Sequence, residues 1–211
     1  AKPHIGTDIL INVVKSIRNE IISLGGEVRF DTKLTNVKTE NGKITAAVTE
    51  NEEIPCDSLI IATGHSARDT FVMLNDSKVE MARKPFALGV RIEHKQKDIN
   101  LAQYGEQNIS NPHLPAADYK LAVHLENGRG VYTFCMCPGG VVVNAASEEN
   151  SYVTNGMSYS ARDMENANSA LLVGVAPEDI EGDDVLAGIF LQREIEQKAY
   201  KIAVDVPIGV D

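Results

Sequence analysis

Cys135 and Cys137 stand two apart at the end of an apolar run, residues 131–137, that reads as a strand. Side chains two apart in a strand share a face, which would set both thiols beside Val131 and Thr133. No second Cys-x-x-Cys or histidine pair with metal spacing accompanies them, so the pattern is not that of a zinc site, and no metal is expected. A disulfide between them would close a very small, strained ring. Two readings remain. The pair is redox-active, or one thiol is a nucleophile with a lowered pKa; or both are small buried apolar side chains, which is the preferred reading. Pro138-Gly139-Gly140 follows directly, and two glycines after a proline allow a backbone approach that a side chain would block. That turn is expected to lie near an active site.

A second cluster, Asn155, Gly156, Met157 and Ser158 followed by Arg162, Asn166 and Asn168, is dense in hydrogen-bonding groups. Amides and a guanidinium of this kind hold a carboxylate or another polar substrate. The same residues also serve as turn formers that satisfy their own backbone. Ala62-Thr63-Gly64 offers a third place of close backbone approach. His65, next in line, either bonds a ligand or is a surface histidine at a helix start, and the second is favoured. No two carboxylates present themselves as an acid–base couple; Glu148-Glu149 and Asp183-Asp184 read as solvated surface.

The elements that must position these groups follow from periodicity. Gly6-Thr7-Asp8 opens a helix, with the threonine hydroxyl placed to cap it. Leu10, Val13, Val14, Ile17, Ile21 and Leu24 mark one buried face, and Gly25-Gly26 ends it. Strands are expected at residues 27–30, 34–39, 44–49 and 53–56, with Asn41-Gly42 as a hairpin turn joining two of them. Residues 58–62 read as a strand covered on both faces, followed by a glycine turn and a helix over 66–74, the ingredients of a nucleotide-binding crevice. Further strands are expected at 86–93, 121–125, 131–137, 141–145 and 171–175. Residues 98–119 read as loop-rich, 161–170 as helix or loop, and 186–201 as a last helix.

The bulk composition sets limits. The 211 residues carry a formal charge of −10, which argues against non-specific binding of nucleic acid or an anionic membrane. Arg83, Lys84 and Arg91 are close enough in sequence to form one local basic pocket. No apolar run approaches the ~20 residues of a membrane span. Three cysteines, an odd number, point to a reducing compartment, and a cytoplasmic location is expected.

Several long runs resemble the uncharacterised FAD-dependent dehydrogenase family of bacteria, flavoproteins with two dinucleotide-binding domains. They are residues 2–30, Ala62-Thr63-Gly64-His65-Ser66-Ala67-Arg68-Asp69, Lys84 to His94, Phe134 to Gly140, Asn155-Gly156-Met157-Ser158 and Asn166 to Leu171. The resemblance implies an α/β to α+β chain. A partial, Rossmann-like FAD-binding domain with its β-meander would occupy 1–84, and a mixed α/β substrate-facing insert 85–185. Residues 186–211 would return to the FAD domain. It also implies FAD as cofactor, with Leu34 offering backbone polar groups to the adenine and Ala62, Thr63 and Gly64 beside the cofactor. Pro138, Gly139, Gly140, Asn155, Met157, Ser158, Arg162, Asn166 and Asn168 would face substrate or flavin. The family's opening Gly-x-Gly-x-x-Gly turn and its late Gly-Asp segment do not occur in these residues. The expectation is therefore an interior piece of an FAD-dependent oxidoreductase whose partners are the rest of its own chain and a small molecule. On its own it would bind FAD weakly or not at all. The alternative from another class is a ligand- or partner-binding module whose flavin is structural or sensory.

Overall fold

The structure is a computed structural model that describes residues 4–205. It contains three antiparallel sheets and four α-helices, a mixed α/β architecture. Helix α1 (Thr7–Ser23) leads through an irregular segment into a meander of β1 (Leu34–Glu40), β2 (Lys43–Thr49) and β3 (Glu53–Pro55). Asn41 and Gly42 both take positive φ, 51° and 76°, as the tight turn between β1 and β2 requires. Helix α2 (Arg68–Asp76) packs against β1.

The second sheet is built from β4 (Phe86–Lys95), β5 (Ala122–His124), β6 (Gly130–Cys137) and β9 (Asn166–Val175), in the order β4-β9-β6-β5. Strand β9 is therefore central and β4 an edge. Strands β7 (Gly140–Asn144) and β8 (Thr154–Ser158) form a separate ribbon that packs on β9. Helix α3 (Gln96–Tyr104) follows β4, and α4 (Ala187–Asp205) closes the described chain.

Four expectations are corrected. Residues 27–30 and 58–62 form no strand, because no described strand offers them a ladder; Phe30 is 66% and Ile60 91% exposed. The apolar stripe of α1 is likewise exposed, since no other described helix or strand packs along it. Residues 154–158 form a strand, and β9 begins at Asn166, because ladder pairing with β7, β4 and β6 overrides local turn preference. Residues 98–104, the first part of the stretch 98–119 read as loop-rich, belong to helix α3.

The middle of the second sheet is polar. Its largest fully buried side chains are Asn168 and Ser169 on β9, flanked by the buried Ala167 and Ala170. Side chains this small bring β8 and β9 close together, and the buried polar atoms then need partners nearby.

Candidate functional site

Most of the residue runs singled out in the sequence meet at the start of β9. Arg91 in β4 donates from Nη1 to Asn168 Oδ1 at 2.7 Å and to the Cys135 carbonyl at 3.2 Å. Gly156 in β8 lies against this group. A methyl there would come within 2.3 Å of Arg91 Nη1 and of Asn168 Oδ1, and within 2.8 Å of Cys137 Sγ. Glycine at 156 is thus demanded by the guanidinium, not by a turn.

The two thiols do not share a face. Between Phe134 and Cys137 the β6–β9 register slips, with three steps on β6 answering two on β9. Cys135 absorbs the extra residue at φ 47° and is exposed, while Cys137 is half-buried opposite Asn168. The Cys137 thiol donates to the Cys135 carbonyl at 3.3 Å. Burial pushes its pKa up; the Arg91 charge and the Ser158 hydroxyl pull the other way without cancelling that effect. Cys137 is therefore a protonated, packed thiol at neutral pH.

Pro138 and Gly139 turn the chain from β6 into β7, and all of Pro138, Gly139 and Gly140 are buried. The backbone they approach is the protein's own. A methyl at Gly139, where φ is 50°, would lie 1.9 Å from the Arg162 carbonyl, and one at Gly140 2.3 Å from that of Met157. Gln96 at the start of α3 holds the turn from the other side. Its Oε1 accepts the Gly139 N–H at 2.7 Å and its Nε2 donates to the Ala117 carbonyl at 3.0 Å. Sequence reasoning missed Gln96, which carries no local signal beyond its place after Lys95.

Asn155 is exposed and accepts the Gly156 N–H through its own side chain at 2.8 Å. Ser158 is buried. Arg162 sits at φ 53°, and its Nε, like Asn166 Oδ1 and Asn168 Nδ2, is buried without a hydrogen-bond partner. Helix α1 enters here as well. Thr7, expected to cap α1, instead donates to the Ser158 carbonyl at 3.3 Å, and Asp8 accepts from Ser160 N at 2.9 Å and Oγ at 2.7 Å.

The residues near the meander lie elsewhere. Leu34 opens β1, half-buried and opposite Thr49. Ala62, Thr63 and Gly64 are exposed and lead toward α2; Gly64 has φ 73°, and a methyl there would meet nothing within 4 Å. His65 is exposed and lines a cavity of about 280 Å³ with Phe71, Phe86 and Leu186.

Between β1 and α2 opens a larger cleft of about 940 Å³, floored by an ionic cluster. Arg68, its side chain 3% exposed, bonds Glu148 at 2.8 Å and Glu196 at 2.7 Å; Arg193 bonds Glu148 at 2.8 Å. Hydrogen bonding from Arg193, opposed by burial and joined by Arg68, lowers the Glu148 pKa to about 2. Glu148, read from sequence as solvated surface, is thus a clasp joining α2, α4 and the loop after β7. Separations of 80 and 128 residues from Arg68 hid this from any local pattern.

The same residues are matched by known families. Residues 85–208 match the family described as FAD-dependent protein, C-terminal domain-like. The chain belongs to that family. Residues 9–90 match a second family, flavin containing amine oxidoreductase. A protein of Clostridium beijerinckii, named only as an uncharacterized protein, is 54% identical over 203 residues, which cover 96% of this chain. The chain spans 38% of that relative's length. This member of the FAD-dependent C-terminal domain-like family thus carries flavoprotein sequence on both sides of residue 85. Among the described residues no group of three or more histidine, cysteine, aspartate or glutamate side chains could hold a metal ion, and no helix is long and apolar enough to cross a membrane.

Proposed function

We propose that this chain is part of an FAD-dependent oxidoreductase, a dehydrogenase of a small molecule, and forms one wall of its flavin site together with most of its substrate-facing domain. The observation that carries the proposal is the exposed, unpaired backbone at Ala62, Thr63 and Gly64, with open space at Gly64, in a chain whose two halves both match flavoprotein families. An unpaired backbone beside a helix start is chemically suited to a cofactor, because each free N–H and C=O needs a partner. Leu34 would add backbone groups at the opening of β1, on the adenine side. FAD, when bound, would supply the hydride or electron acceptance.

The chain's own contribution is to hold and to exclude. The exposed apolar surface of α1 and of Phe30 and Ile60 is suited to burial under a parallel sheet completed by other segments of a longer protein. The cluster of Pro138, Gly139, Gly140, Asn155, Met157, Ser158, Arg162, Asn166 and Asn168 would form the insert's polar floor. Burial of Asn168, Ser169 and the Pro138 turn favours a rigid floor whose donors stay fixed while substrate changes.

The test is a Gly64→Val substitution in a version of the protein extended on both sides. A branched side chain at φ 73° both strains the backbone and fills the space proposed for the cofactor. The expected outcome is at least tenfold weaker FAD binding with unchanged far-ultraviolet circular dichroism. Unchanged FAD affinity would remove residues 62–64 from the site.

A further inference from the structure

Arg91 carries a charge that no carboxylate among the described residues answers. Arg68, Arg129 and Arg193 each have one within 2.8 Å, whereas the hydrogen bonds of Arg91 go to neutral acceptors, the Cys135 carbonyl and Asn168 Oδ1. Both are made by Nη1, and Nε is buried without a partner. A half-buried guanidinium held on one corner and lacking a counter-ion is an incomplete electrostatic unit, since charges taken out of water are normally paired. Asn168 repeats the pattern, being 0% exposed with Nδ2 unpartnered.

Arg91 also lines a cavity of about 390 Å³ between the β4–β9 edge of the sheet and α4. Its walls are mainly apolar, with Ala87, Ala170, Leu172 and Ile195 among them. Two acids stand near. Glu196 lines the cavity but is bonded to Arg68 at 2.7 Å, and Glu93, opposite Asn168 in the ladder, is exposed. One uncompensated positive charge over an apolar chamber selects a monoanion with a hydrocarbon body. A phosphate dianion would need a second cation, and a neutral ligand would leave the guanidinium unanswered.

We infer that this cavity binds a small monocarboxylate with an apolar body, its carboxylate on Arg91 Nη2 and its hydrocarbon against Ala170, Leu172 and Ile195. A charge-assisted hydrogen bond from Nη2, with the full guanidinium charge beside it, favours this anion over a neutral isostere. Asn168, through Oδ1, is a positioning residue that holds Nη1 and so fixes the guanidinium plane, and Gly156 leaves room for it. The site shares Asn168 with the proposed substrate floor, but binding there needs no flavin, so its test is read separately from FAD binding.

The test is a calorimetric titration of the 211-residue chain with sodium hexanoate and sodium benzoate, beside hexanamide and benzamide at equal concentration. The carboxylates are expected to bind at least tenfold more tightly than their amides. Arg91→Met should weaken hexanoate at least tenfold. Asn168→Asp, which supplies Arg91 with an internal counter-ion and so holds the fold together, should do the same. Equal binding of acids and amides, no heat from either acid, or hexanoate affinity unchanged in Asn168→Asp would each overturn the inference.

Discussion

Removing the guanidinium of Arg68 tests whether the ionic clasp holds α4 against the rest of the molecule. Arg68→Met keeps most of the apolar stem and leaves Glu196 without its partner, while Glu148 retains Arg193. Breaking a fully buried pair from one side costs about 3–5 kcal/mol. Glu196 and Glu148 are 15% and 26% exposed, so water recovers part of that, and about 2 kcal/mol is expected at pH 7. The pH dependence follows from Glu148, whose pKa falls from 4.5 to about 2 on folding. A displacement of that size is at most about 3.4 kcal/mol, and solvent at a 26% exposed carboxylate reduces it to about 1.5–2 kcal/mol. Because the folded pKa is the lower one, this stability is fully present above pH 4.5 and drains away as pH falls toward 2. Arg68 is part of its cause, so the cost of Arg68→Met should shrink from about 2 kcal/mol at pH 7 to about 1 kcal/mol at pH 3. Urea unfolding of parent and variant at both pH values measures this, and taking the difference cancels the other carboxylates. A cost below about 0.5 kcal/mol at pH 7, or an equal cost at both values, would refute the clasp.

Four further outcomes are expected. Gly139→Ala forces a methyl to 1.9 Å from the Arg162 carbonyl at φ 50° and should cost about 3 kcal/mol in thermal or urea unfolding. Gly128→Ala, at φ 81° with nothing within 4 Å, should cost only about 1 kcal/mol. Iodoacetamide should label exposed Cys135 well before Cys137, whose thiol is kept protonated by burial; mass spectrometry showing equal rates would contradict the bulge geometry. Gln96→Leu removes the acceptor of the buried Gly139 N–H and should destabilise by about 2 kcal/mol, read by the same unfolding assay.

The elements legible in the sequence were those whose signal is local. Asn41-Gly42 announced its hairpin, alternating and apolar runs announced β4, β6 and β7, and the spacing of Leu10, Val14, Ile17 and Ile21 announced α1. Burial was not legible where it depends on a distant partner. The stripe of α1 and the runs at 27–30 and 58–62 have the composition of covered elements, yet the described residues hold no surface that covers them. The converse occurs at β8, where Asn155-Gly156-Met157-Ser158 has turn-forming composition and becomes a strand through pairing with β7. At the site, density of amides drew attention to Asn168 and Asn166, but the bulge that separates Cys135 from Cys137 could not be read, since it exists only in register with β9. Arg91 appeared in the sequence merely as one of three nearby basic residues; its unanswered charge became visible once β4, β6 and β9 lay side by side.

The central claim, that this chain is one wall of a flavin site, is tested most directly by titrating FAD into the 211-residue chain and into a version extended on both sides. Bound flavin is followed by absorbance and by quenching of its fluorescence. Stoichiometric, tight FAD in the extended protein and weak or no binding in the 211-residue chain is the predicted result. An extended protein that folds but takes up no FAD would contradict the account.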